Sequence, residues 1–126
     1  MSIILFIFSF IFGFFGGLAG NTATGVQNSA YDAEAKADIN VVSLQLELYY
    51  NETSTYPTEA AFDSQGPALF PDINLEALSD PQGFNFNATG SSYDYAPTQC
   101  SETSCQKYTV TAQLTDGTTY TKESLN

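Results

Sequence analysis

The stretch VQNSAYDAEAKADINVVSLQLELYY, residues 26–50, decides the architecture. Its apolar positions Val26, Ala30, Ala33, Ala37, Val41, Leu44 and Leu48 recur every three or four residues. A second row, Ile39, Val42, Leu46 and Tyr49, follows the same period and is read as widening one apolar face. That period predicts an α-helix packed along a domain, and no proline interrupts it before Pro57. Asp32, Glu34, Lys36, Asp38 and Glu47 take much of the remaining surface.

Upstream of this helix, residues 1–19 read MSIILFIFSFIFGFFGGLA and carry no charged side chain. Ile3, Ile4, Leu5, Phe6, Ile7, Phe8, Phe10, Ile11, Phe12, Phe14, Phe15 and Leu18 make the segment apolar on every side. As a helix it would span roughly 28 Å, enough for the hydrocarbon core of a bilayer. Phe6, Phe8, Phe10, Phe12 and Phe14 alternate as a strand would, but an open strand in lipid leaves its backbone unpaired, so a helix is expected. A cleaved signal peptide is the competing reading: Leu18-Ala19-Gly20 offers a small-residue cleavage site, but no basic residue stands before the apolar run. Gly13, Gly16, Gly17 and Gly20 crowd its end. Their four-residue spacing suits close helix approach, and each also weakens the helix by about 1 kcal/mol relative to Ala, so a point of flexibility is expected there. If both segments are continuous, the helix is about 50 residues and roughly 75 Å long, and must protrude from so small a domain.

Downstream, all five prolines (57, 67, 71, 81 and 97) fall between residues 57 and 97. Residues 52–91 are rich in turn formers and are expected to wrap over the helix, because Phe62, Leu69, Phe70, Ile73 and Leu78 need burial. Ala60-Ala61-Phe62 and Leu75 to Leu78 are expected as single helical turns. Three strand signals follow, in Ser92 to Pro97, Lys107 to Leu114 and Thr118 to Leu125. Asp116-Gly117 is read as a two-residue hairpin turn between the last two. The expected fold is therefore α+β: a long protruding N-terminal helix covered by a small antiparallel sheet of about three strands. Its parts are an apolar helix half (1–20) and a globular domain (21–126) comprising an amphipathic helix half (21–51), a connecting loop (52–91) and the sheet (92–126). Cys100 and Cys105 flank a four-residue hairpin loop in a chain with a membrane stem, which predicts a disulfide formed outside the reducing cytoplasm.

The composition narrows the chemistry. The 126 residues hold 14 Asp plus Glu against 3 Lys plus Arg, with no His and no Trp, for a net charge of -11. All of that charge lies beyond residue 31. Without His there is no imidazole base, no Cys–His nucleophile and no ordinary transition-metal set. So acidic a surface repels phosphate, and a nucleic-acid partner is not expected. No glycine-rich phosphate loop or nucleophile motif is present, so neither catalysis nor a cofactor is expected. Asn51-Glu52-Thr53 and Asn87-Ala88-Thr89 match glycosylation acceptors, a pattern common by chance in an Asn- and Thr-rich chain.

The order of these parts resembles the type IV pilins and the major pseudopilins of type II secretion, in a lollipop shape. Two strings carry the resemblance locally. DINVVSLQLELYYNETSTYP, residues 38–57, is similar to the point where the helix of those families closes on L-E-x-Y before a polar turn and Y-P. Asp80-Pro81-Gln82-Gly83 followed by Tyr93-Asp94-Tyr95 is similar to their D-P-x-G turn and aromatic strand. One position departs: those families carry Glu at the fifth residue, where this chain has Leu5, and no carboxylate precedes Asp32. The resemblance implies a subunit held in the cytoplasmic membrane and then moved by pilus assembly machinery into an extracellular filament of its own copies. A pseudopilin or minor pilin of a secretion or DNA-uptake system keeps the fold and changes the task. A single-pass, surface-anchored binding domain is the reading from another class. Some major pseudopilins hold calcium near this sheet, which makes Asp94, Asp116 and Glu123 candidates, although no ordered run of oxygen ligands like an EF-hand loop accompanies them.

Overall fold

The computed structural model describes residues 23–126. The stem positions Ile3 to Leu18, and the glycines Gly13, Gly16, Gly17 and Gly20, lie outside the described residues. The expectations of a membrane or filament-core helix and of a flexible point therefore rest on sequence alone.

The described chain is α+β: one long helix, a short helix and a 3-10 turn, then a three-stranded antiparallel sheet. Helix α1, Ala23–Thr53, is 31 residues and about 46 Å long. It ends where Ser54 takes a left-handed backbone (φ 62°), with its N–H donating to the Tyr50 carbonyl at 2.7 Å. The chain then turns back and Tyr56 pairs with Cys105 through both backbone groups, at 2.8 and 2.9 Å, joining the helix exit to the sheet.

Helix α2, Glu59–Leu69, is longer than the single turn expected around Phe62. Thr58 caps it by accepting the Ala61 N–H at 3.1 Å, and Glu59 supplies an acid in the first turn. Pro67 sits inside its C-terminal half, where proline ordinarily breaks a helix. Only the bond from residue 67 is lost, and burial of Phe62 and Gly66 on one face holds the remaining turns. Leu75–Leu78 forms the expected single turn, of 3-10 type.

The strands are β1 (Tyr93–Cys100), β2 (Cys105–Gln113) and β3 (Thr119–Glu123), in the order β1-β2-β3. Tyr93 opposes Ala112 and Tyr95 opposes Val110, and all four face the helix. The β2–β3 turn corrects the two-residue reading at Asp116-Gly117. Gly117 N–H donates to the Leu114 carbonyl at 3.1 Å and Leu114 N–H to the Thr118 carbonyl at 2.8 Å, so three residues, Thr115 to Gly117, form the loop. Gly117 takes φ 88°, as the third position of such a loop requires.

The core lies between α1, the sheet and the connecting loop. Ala35, Ile39, Val42 and Leu46 come from α1; Phe62, Phe70, Ile73, Ala77 and Phe86 come from the loop segment. The Phe62 ring stacks on Tyr95 at 4.2 Å and meets Phe86 and Phe70 edge-on at 5.3 and 6.0 Å. Loop residues thus supply core, which is why a segment so rich in turn formers stays wrapped on the helix.

Candidate assembly face

On α1 the two apolar rows do not make one wide face. Ala35, Ile39, Val42 and Leu46 point into the core, whereas Leu44 is 59% and Leu48 48% exposed. At 3.6 residues per turn the row Val26, Ala30, Ala33, Ala37, Val41, Leu44 and Leu48 is centred about 170° around the helix from the buried row. Ala33 is exposed, and Val26, Ala30, Ala37 and Val41 are half-buried. The helix is apolar on two opposite sides; its own domain buries one and leaves Ala33, Leu44 and Leu48 of the other exposed.

Two unlike flanks border this outward row. On one side the 3-10 turn and the Asp80 turn pack against α1 near Glu34 and Asp38. Asp38 is 9% exposed, and its carboxylate accepts the Tyr93 hydroxyl at 2.6 Å. Burial, opposed in part by that hydrogen bond, pushes Asp38 up to about 7, and Glu34 and Glu76 add repulsion. Glu34 is raised as well, by burial first and then by Glu76 and Asp80. Asp80 is buried among donors: Gln82 and Phe84 N–H at 3.0 and 2.9 Å, and Ser92 N–H and hydroxyl at 2.9 and 3.1 Å. The D-P-x-G string thereby ties the loop to the start of β1. A shallow groove lined by Phe62, Gly66, Pro67, Leu75, Leu78 and Phe86, with Asp63 and Asn85 as its polar members, opens beside the 3-10 turn, and Leu75 is 61% exposed.

On the other side α1 meets β3. Tyr120 donates its hydroxyl to Asn40 at 2.8 Å, and the ammonium groups of Lys36 and Lys122 each lie 6.0 Å from its ring centroid. At the far end of the same seam Glu47 accepts from Tyr56 at 2.8 Å, Tyr108 at 2.7 Å, the Leu125 N–H at 3.2 Å and the Asn126 amide at 3.1 Å. The Glu47 of the L-E-x-Y string is thus a knot joining helix, sheet and the last residues.

The residues singled out in the sequence fall out unevenly. Cys100 and Cys105 are joined in a disulfide, directly opposite each other across the β1–β2 hairpin. Asp94, Asp116 and Glu123 are not brought together: Asp94 opposes Thr111 on β2, Glu123 opposes Thr109, and Asp116 lies in the turn, bonded to the Thr118 N–H and hydroxyl. Among the described residues no group of three His, Cys, Asp or Glu is arranged to hold a metal. Asn51 is exposed, whereas the Asn87 side chain is committed to Asp63 and to the Tyr95 N–H, both at 2.8 Å. Sequence reading missed the division of α1 into inner and outer rows and the Lys36–Tyr120–Lys122 group. The first carried a signal, because Leu44 and Leu48 differ in helical phase from Ile39, Val42 and Leu46. The second depends on the pairing of β3 and carried none.

No protein-family model, curated protein or solved structure matches the chain. Among the described residues no helix is long and apolar enough to cross a membrane.

Proposed function

We propose that this chain is a pilin-like structural subunit, whose apolar N-terminal segment and outward helix row pack against other copies in an extracellular filament. The observation that carries this reading is the outward row Val26 to Leu48, exposed at Ala33, Leu44 and Leu48. Extended upstream at the same period it runs into residues 1–19, where every face is apolar. A monomer leaves Ala33, Leu44 and Leu48 of that row in water. A neighbouring helix laid along it buries Leu44 and Leu48 at about 1.5–3 kcal/mol each. Bundled stems would remove residues 3–18 from water much as lipid does, so that transfer from membrane to filament core changes apolar burial little. Heterologous contacts of this kind need not close, and they build an open helix. The domain's net negative surface would then face outward and oppose clumping of filaments. The order of parts and the two strings centred on Glu47 and Asp80 support a pilin or pseudopilin relative.

Electron microscopy of material sheared from cells expressing the full chain tests this. Filaments that contain the chain are expected. Their absence from cells that make the protein overturns the proposal.

A further inference from the structure

The two flanks of the outward row differ in charge as well as shape. From Glu52 to Asp80 the chain has six carboxylates and no lysine, and two of them, Glu76 and Asp80, lie with Glu34 and Asp38 of α1 on one flank. The opposite flank holds Lys36 and Lys122, whose ammonium groups each lie 6.0 Å from the centroid of the half-buried Tyr120 ring. Neither ammonium hydrogen-bonds a carboxylate among the described residues. Asp116, the acid that acts on Lys36, accepts the Thr118 N–H and hydroxyl on Oδ1 alone. On the α1 wheel, Lys36 and Asn40 stand about 160° around from Glu34 and Asp38, with the outward row between them.

We infer that copies of this chain meet side by side through these flanks, the Lys36–Tyr120–Lys122 edge of one copy docking on the Glu34–Glu76 edge and the neighbouring Leu75 groove of the next. The inference rests on the reading of the outward row as an assembly face, and it adds the lateral contact and its polarity. The chemistry of the edges is complementary: an aromatic ring with two cations near it meets an exposed Leu75 beside Glu76 and the half-buried Glu34. Glu34 is crowded by burial and by Glu76 and Asp80, so a cation from a neighbour relieves repulsion that the single copy cannot. Because the two edges belong to opposite flanks, the contact is head-to-tail and leaves a free edge at each end. It therefore propagates in one direction around a filament axis and selects against wrong registers, which would set the acidic loop against itself. Glu34 and Glu76 face the approaching cations from α1 and the 3-10 turn, and Asp80 lies buried behind them.

The test is zero-length carbodiimide cross-linking of the full chain in membranes and sheared fractions of expressing cells, half grown in heavy isotope so that inter-copy isopeptides are recognised by mass. The expected product joins Lys36 or Lys122 of one copy to Glu34 or Glu76 of another. Lys122→Glu should lower its yield at least tenfold, and combining it with Glu76→Lys should restore cross-linking through the reversed pair. Inter-copy isopeptides that avoid both edges, or none at all, overturn the inference even where filaments form. Cross-links of the expected kind without any filament uphold the contact and sink the filament reading instead.

Discussion

Asp38 is the residue whose environment most departs from what its type prefers. A carboxylate at 9% exposure with one hydrogen-bond donor and two acids nearby is held at about 7, against an ordinary 3.8. The folded state therefore binds its proton more tightly than the unfolded chain does. The stability from Asp38 is fully present below the ordinary value and is lost as pH rises to about 7. Asp38→Asn keeps an oxygen for the Tyr93 hydroxyl and removes the charge. It should raise unfolding free energy at pH 8 by roughly 2 kcal/mol and leave it unchanged near pH 3.5. Denaturant titrations at both values check this, and an equal effect at each refutes it. Tyr93→Phe acts oppositely: it removes the one donor, so its cost should be greater at pH 8, where the carboxylate left behind is charged. Neither effect was legible in the sequence. Asp38 fell on the polar side of a helix read with a single apolar face, and only the position of β1 places the Tyr93 hydroxyl against it.

At the scale of elements, α1 ends on a residue that tolerates its backbone poorly. Ser54 takes φ 62°, where a Cβ costs energy that glycine avoids. Ser54→Gly should stabilise the domain by about 1 kcal/mol, seen as a higher melting temperature with unchanged helical content. The β1–β2 hairpin is closed by Cys100–Cys105, a separation of five residues, and Cys100→Ser with Cys105→Ser should cost roughly 2 kcal/mol in the chain-entropy account. A melt of the double variant, compared with wild type under reducing conditions, separates lost cross-link from lost packing at the buried Cys105. These elements also show which sequence signals can be trusted. The long helix, the meander and the paired cysteines were readable because periodicity, turn chemistry and pairing are local. Helix α2 was shortened in the reading because its segment is rich in turn formers around a three-residue apolar cluster, while its anchor at Phe62 acts through Phe86 and Tyr95, distant in sequence. Its cap at Thr58 is local and was overlooked. The turn at Asp116-Gly117 was placed correctly but taken as one residue too short. Gly117 fits either loop, and the Leu114–Thr118 pairing that decides between them is a property of the folded sheet.

The whole molecule carries its clearest signal where it is least folded upon itself. Sequence periodicity registers the rows ending at Leu46 and at Leu48 alike, because both step by three or four. Only the side on which the sheet and loop settle makes one row core and the other surface. That distinction separates stability from assembly, and it can be tested in a single chain. Leu46 is fully buried, so Leu46→Ala should lower stability by about 2–5 kcal/mol and reduce assembly only through misfolding. Leu44 and Leu48 are exposed, so Leu44→Glu with Leu48→Glu should leave the melting temperature within the range of ordinary surface changes, about 0.5 kcal/mol each. In an assembled helix bundle the same two carboxylates would have to be buried or to face a neighbour's apolar row, which costs far more than the row contributes when apolar. The double variant should therefore fold, reach the membrane at wild-type level and give no filament in the sheared fraction. A wild-type melt together with wild-type filaments would show that this row faces solvent in the assembly, and the proposed packing would fall with it.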